Sequence, residues 1–209
     1  MSVALDLIGS IVIASFVILI GLRLNQTISG SAEAAGASQT VQEAAVDIVR
    51  SIEYDFRKMG FGLPKANMTI VKNDSTDIIF LVGDRYNPAI VNSIEWFLGD
   101  TLKNFDNKRT RILYRRVNGG QAVGAALGVT LFKLRYFNSN GDLIPYNTTP
   151  GQVASIETSV RVESLNRVQG QYNATDNRVE YDESYSKMGY ATSFWQQKRL
   201  TARNILRHG

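Results

Sequence analysis

The sequence predicts an α+β protein in which a long N-terminal helix packs on an antiparallel β-sheet. Three observations predict it. Residues 1–22, MSVALDLIGSIVIASFVILIGL, are apolar or small apart from the single acid Asp6. Apolar residues then recur at spacings of three and four through Val41, Ala45, Ile48, Ile52, Phe56 and Met59, which places them on one helical face. After Pro64, short β-rich runs alternate with turn signals. The chain has 209 residues, 44% of them hydrophobic and 20% charged, which suits one ordinary domain with an appendage.

Residues 1–23 form the first segment, an apolar membrane or filament-core helix. A bilayer-spanning helix needs about 20 apolar residues. No basic stretch precedes the run and no small-residue cleavage site follows it, so it reads as a retained membrane helix and not as a cleaved signal. Residues 24–60 form the second segment, an amphipathic continuation. Gln42, Glu43, Asp47, Arg50, Glu53, Asp55, Arg57 and Lys58 make its polar side, and Gly60 and Gly62 supply the stop.

Two organisations fit this pattern. One is a single spine from about residue 4 to about residue 59, on the order of 80 Å long at the usual rise per residue. The other is an anchor, a short Ala/Gly/Ser linker and a separate soluble helix. Gly30 and Gly36, with Ser29 and Ser31, mark the weakest stretch, since a helical glycine costs about 1 kcal/mol relative to alanine.

Residues 61–209 form the sheet domain. Strands are expected at MTIV (68–71), DIIFLV (77–82), SIEWFL (93–98), TRILYRRV (110–117), VTLFKLRYF (129–137) and VASIETSVRVES (153–164). Turns are expected at Asn87-Pro88, Asn118-Gly119-Gly120 and Asn138-Ser139-Asn140-Gly141. In VTLFKLRYF the set Thr130, Phe132, Leu134 and Tyr136 is the expected core face. Residues 166–190, rich in Asn, Gln, Asp, Ser and Tyr, read as a long surface loop, and a closing strand is expected around Lys198–Leu206.

Catalytic chemistry finds little to stand on. There is no cysteine, and the only histidine, His208, lies one residue from the end. No P-loop, dinucleotide fingerprint or nucleophile elbow is present. Asp74, Asp77, Asp100, Asp106, Asp176, Asp182 and Glu183 match no calcium-loop pattern and read as solvated turn residues. Glu43, Asp47, Glu53 and Asp55 alternate with Arg50, Arg57 and Lys58 and read as solvated helix pairs. The bases of Lys103–Arg116 and Lys187–Arg207 read as solvated strand positions. Five Asn-x-Ser/Thr triplets begin at Asn25, Asn67, Asn73, Asn147 and Asn173 and read as chance in an Asn-rich chain. A net charge of +4 without a recognition motif argues against nucleic acid. The expectation is a non-enzymatic protein with no catalytic residue, cofactor or metal.

Asp6 stands out. A carboxylate near the bilayer interior costs about 2.5–3.5 kcal/mol on insertion scales and usually finds a partner. The alternatives are a headgroup position, where the cost is small, and a cation or α-amino group of a neighbouring chain. The second makes Asp6 an assembly device, with Leu7, Ile11, Phe16 and Ile20 as apolar packing residues beside it.

The order of these features resembles type IV pilins and pseudopilins. VDIVRSIEYDFRKMGFGLP (46–64) is similar to the segment in PilW-like minor pilins and J-type pseudopilins of type II secretion where a helix ends in L-x-x-D-x-R-x-A-G-[YF]. Ile52, Asp55, Arg57, Met59, Gly60 and Phe61 hold the comparable places. RILYRRVNGG (111–120) and GVTLFKLRYFNSNGD (128–142) resemble the hairpin and strand–turn that follow, and RLTARNIL (199–206) the closing strand, with Ala202 in place of a leucine. Family members carry a basic leader ending in Gly and a Glu at the fifth mature position. Counted from Ser2, Asp6 holds that place, with Asp for Glu and no Gly leader before it.

The resemblance implies a pilin-like fold and incorporation into a type IV pilus or type II secretion-like filament through the apolar helix. It also implies a low-copy role in initiating or capping assembly. The expected partners are other pilin-like subunits and, before assembly, the lipid bilayer. The expected location is the inner membrane, single-pass, with a periplasmic or extracellular head, or the assembled filament. The alternative is a single-pass membrane-anchored structural or binding protein of another envelope or virion assembly.

Overall fold

The computed structural model describes residues 2–63, 69–84, 86–87, 89–148, 150–169 and 188–200. Helix α1 runs unbroken over Ser2–Lys58, 57 residues and about 85 Å at the standard rise. The spine organisation is therefore the one adopted, and no linker interrupts it. Proline is absent throughout, and Gly60 ends the helix with φ 73°, the left-handed conformation that glycine adopts without a Cβ penalty.

The strands are β1 (Ile70–Asn73), β2 (Asp77–Gly83), β3 (Val91–Thr101), β4 (Arg111–Val117), β5 (Val123–Phe137), β6 (Leu143–Ile144), β7 (Ser155–Glu163), β8 (Val168–Gln169), β9 (Met188–Gly189) and β10 (Thr192–Leu200). One sheet has the order β1-β2-β3-β4-β5-β7-β10, with β6 pairing the end of β5. Every pairing is antiparallel. The β4–β5 connection turns at Asn118 and Gly119, both at positive φ, the backbone twist that a tight hairpin requires.

The helix lies on one face of this sheet, packing against β10, β7, β8 and β5. Val41, Ala45, Ile48, Ile52, Phe56 and Met59 are all buried, as their spacing predicts. They meet Ile78 and Phe80 of β2, Ile94 and Trp96 of β3, Leu113 of β4, Phe132, Leu134 and Tyr136 of β5, and Ile156, Val160 and Val162 of β7 in one core. Phe56 and Phe80 pack edge to face, with ring centroids 5.6 Å apart.

Three expectations about the sheet change. Val129, assigned by alternation to the side opposite Phe132, is fully buried with it. A bulge causes this: Val129 opposes Val162, but Leu131 opposes Arg161, so one extra residue on β5 reverses the alternation. Gly128 sits at the start of the irregularity with φ 77°, and a Cβ there would lie 2.0 Å from the Glu163 carbonyl oxygen. The closing strand begins at Thr192, six residues before the expected Lys198, and residues 201–206 of that expectation lie outside the described residues. The expected 166–190 loop is framed by the small β8–β9 ribbon, and its centre, 170–187, also lies outside them.

Tyr136 carries a further consequence. Its ring is buried and its hydroxyl donates to the Asp74 carbonyl at 2.8 Å. Burial, with Asp77 and Asp74 adding to it, pushes the phenol far above its usual range. The native state then keeps a proton that the unfolded state releases above about pH 10. Stability is retained below that pH and falls above it, by up to about 1.4 kcal/mol per pH unit for one group. Urea midpoints at pH 8, 10 and 11 should show the fall. Tyr136→Phe should flatten it, and an equally steep decline in the variant would count against this cause.

Candidate assembly site

The N-terminal half of α1 stands clear of the sheet domain. From Leu7 through Leu24 every large apolar side chain is exposed, including Leu7 at 63%, Ile11 at 58%, Phe16 at 61% and Ile20 at 57%. The most apolar 18-residue window of the helix has a mean hydropathy of 2.4 and no buried residue. Among the described residues one helix is thus long and apolar enough to span a membrane, consistent with single-pass anchoring.

Local chemistry suits an apolar surrounding. Hydroxyls in hydrocarbon need partners within the segment. Ser10 Oγ donates to the Asp6 carbonyl and Ser15 Oγ to the Ile11 carbonyl, both at 2.8 Å. All five sequence-predicted assembly residues are exposed on the bare helix, and within one chain they pair only with residues a turn away and form no single cluster. Leu7 and Ile11 lie one turn apart, as do Phe16 and Ile20. The second pair falls about half a turn around from the first at 100° per residue. The segment is an apolar cylinder, open to contact on every side.

The other end of the spine is fixed to the sheet. Asp55, read from sequence as a solvated helix acid, is buried at 2% exposure. Its Oδ2 accepts from the Trp96 indole Nε1 at 3.0 Å and from Arg115 Nε at 2.5 Å, while its Oδ1 accepts from Arg115 Nη2 at 3.1 Å. Arg115 comes from β4, where its neighbours on the same face are Leu113 and Val117, and it opposes Trp96 of β3 in register. Its hydrogen bond to Asp55 holds the guanidinium above its ordinary pKa. A carboxylate without water must be neutralised and hydrogen-bonded, and this fork does both. By contrast Arg57 is exposed and meets Glu53 one turn away at 3.3 Å, the solvated pair expected of the polar side.

Backbone contacts complete the joint. The Gly60 N–H donates to the Leu81 carbonyl at 2.9 Å and the Gly83 N–H to the Phe61 carbonyl at 2.7 Å. The approach is close enough that a Cβ on Gly83 would lie 2.4 Å from the Gly62 carbonyl oxygen. A second buried acid, Glu163 of β7, lies 3.0 Å from Arg109 Nη2 and accepts from Asn107 Nδ2 at 2.9 Å, tying the β3–β4 loop to the sheet.

No protein-family model and no curated protein matches this chain.

Among the described residues no group of three His, Cys, Asp or Glu side chains is placed to hold a metal ion. Asp74 caps the β1–β2 turn through Ser75, and Asp77 pairs with Lys72. Of the glycosylation triplets, Asn73 is buried and its amide donates to the carbonyls of Pro145 and Thr148 at 3.4 and 3.2 Å. It serves the fold as a tie between β1 and the turn after β6.

Sequence reading missed the Asp55–Trp96–Arg115 cluster, yet two signals for it were present. Asp55 lies three residues after Ile52 and seven after Ile48, within the buried stripe. Arg115 lies two residues after Leu113, on the inward side of its strand.

Proposed function

We propose that this chain is a membrane-held, pilin-like structural subunit with no enzymatic role. Its apolar helix packs against those of other subunits in a filament of the type IV pilus or type II secretion kind. The observation that supports this most directly is the form of α1: a fully exposed apolar first half and a second half built into the core of an antiparallel sheet. A lipid bilayer satisfies the first half in the single chain, and neighbouring helices satisfy it in an assembly. Initiation or capping of such a filament, with the head on the outer side of the inner membrane, is the specific role this reading carries.

Asp6 supplies the selectivity. Its charge is costly in hydrocarbon and is relieved when a neighbour brings a cation or an α-amino group within reach. Asp6→Ala should leave membrane insertion and the folded head unchanged. Cross-linked oligomers or filaments should fall at least tenfold, the factor that about 1.4 kcal/mol of lost pairing produces. Normal assembly of the variant at an equal membrane level would remove Asp6 from the mechanism. A wild-type chain that stays monomeric in detergent and in membranes would favour the other reading, a membrane-anchored binding domain acting alone.

A further inference from the structure

We infer that the end of the head farthest from the apolar helix segment is a docking surface for a second, anionic lipid bilayer, so that a chain held in one membrane touches another. The inference uses the single-pass anchor and goes beyond the filament reading, on which it does not depend.

Three connecting segments meet at this end. The chain leaves α1 through 58–65, crosses from β2 to β3 through 84–91, and from β4 to β5 through 117–123. Hydrogen bonds join them. The Gly83 N–H donates to the Phe61 carbonyl at 2.7 Å, the Asp84 N–H to the Ile90 carbonyl at 3.0 Å and the Asn118 N–H to the Ser93 carbonyl at 2.9 Å. Asn118 Nδ2 also donates to Asn92 Oδ1 at 2.7 Å.

Each segment turns large apolar side chains outward. Phe61, Tyr86, Ile90, Val91, Val117 and Val123 are all exposed, Tyr86 at 90% and Val123 at 70%. The opposite end of the same strands is built differently. In the β3–β4 loop Leu102 and Phe105 are half-buried, and Lys103, Asp106 and Lys108 are among the exposed residues. Apolar side chains gathered at one pole of a head mark a contact surface.

Charge and shape point to the kind of partner. The three segments contain the bases Lys58, Lys65 and Arg85 and a single acid, Asp84. That carboxylate already accepts from the N–H groups of Tyr86 at 2.7 Å and Asn87 at 3.2 Å. Aliphatic side chains, a tyrosine with its polar tip and a surplus of bases suit an anionic bilayer surface. The apolar side chains come from three separate turns. A lipid surface accepts them one by one, whereas a protein partner has to match the whole outline.

Position excludes the chain's own membrane. From Leu24 to Lys58 the helix covers about 51 Å, and the apolar end lies at the far side of that span. The bilayer it meets is therefore not the one that holds Leu7–Leu24.

The test uses the full chain in nanodiscs of neutral lipid, floated with vesicles of phosphatidylcholine alone or of phosphatidylcholine with phosphatidylserine. Flotation with the anionic vesicles should be at least about tenfold stronger, since each base near such a surface adds to the attraction. It should weaken as salt rises. Tyr86→Ser with Ile90→Ser should lower it by about tenfold. Leu143→Ser, at an exposed apolar residue of the opposite end, should leave it unchanged. Matching melting curves for these variants exclude misfolding as the cause. The chain has no cysteine, so an environment-sensitive dye on Ala89→Cys reports the contact directly. Its emission should shift to the blue with anionic vesicles, and that of the same dye on Ser139→Cys should not. Equal flotation with neutral vesicles, or a serine pair that floats as well as the parent chain, would overturn the inference. Nanodiscs that pair with each other and leave the vesicles unbound would overturn it too and assign this end to a second copy of the chain.

Discussion

Asp55→Ala should lower the stability of the sheet domain by about 2–3 kcal/mol, because the buried Trp96 indole loses its acceptor while the partly exposed Arg115 can rehydrate. At this chain length that is a fall in Tm of roughly 4–12 °C. The loss has two parts. The Arg115 guanidinium is left facing a site built to neutralise it, and the Trp96 indole N–H loses its acceptor. Replacing both charges with apolar side chains, as in Asp55→Leu with Arg115→Leu, should recover much of the deficit, because no unpaired charge then stays behind. Thermal melts followed by circular dichroism, with tryptophan emission in a Trp195→Phe background as a local probe of Trp96, read both effects. A loss under 1 kcal/mol in the single variant would show that Asp55 is solvated in solution.

Gly83→Ala should be the other severe change, costing at least about 3 kcal/mol, the upper range for a residue forced into a packed site. The added Cβ would meet the carbonyl oxygen and carbon of Gly62 at 2.4 and 2.6 Å and the Leu63 nitrogen at 3.1 Å. All three are backbone atoms, so no side chain can rotate away. Relief requires the helix end to lift from β2, which breaks the bond from the Gly83 N–H to the Phe61 carbonyl and loosens its neighbour from Gly60 to Leu81. Gly119→Ala makes a useful control. It shares a glycine loss but has open space at its Cβ, with only the strain of φ 67°. Equal melting temperatures for Gly83→Ala and the parent protein would refute the close approach.

Much of the fold was legible because its signals are local. The stripe Val41–Met59 repeats with the helical period, and each of its six predicted members is buried. Phe132, Leu134 and Tyr136 alternate on β5, and all three face the core. The Asn-Gly turn at 118–119 adopts the positive φ values that its residue types permit. Continuity of the spine was not legible. Gly30, Gly36 and their serines lower helix propensity without forbidding a helix, so propensity alone left the linker and the spine equally open.

The candidate site divides in the same way. Run length and hydropathy marked residues 1–22 as a membrane or packing helix, and that helix stands exposed along its apolar part. Asp6 was found because an acid in such a run is conspicuous. Asp55 was not, because an acid among Arg50, Glu53, Arg57 and Lys58 looks like ordinary helix surface.

By itself, then, the sequence determined the two supported ends of the helix, most of the strands and most of their apolar faces, and that its first 22 residues need an apolar surrounding. Periodicity carries that information within a few residues of each position. Only the tertiary structure decided that Asp55 is buried and that Gly83 touches Gly62. It also placed the bulge at Val129 and turned that residue inward. Each of those depends on a partner far along the chain: Trp96 and Arg115 lie 41 and 60 residues from Asp55. Such partners are chosen by strand order and register, which bring distant residues together only when the whole sheet has formed.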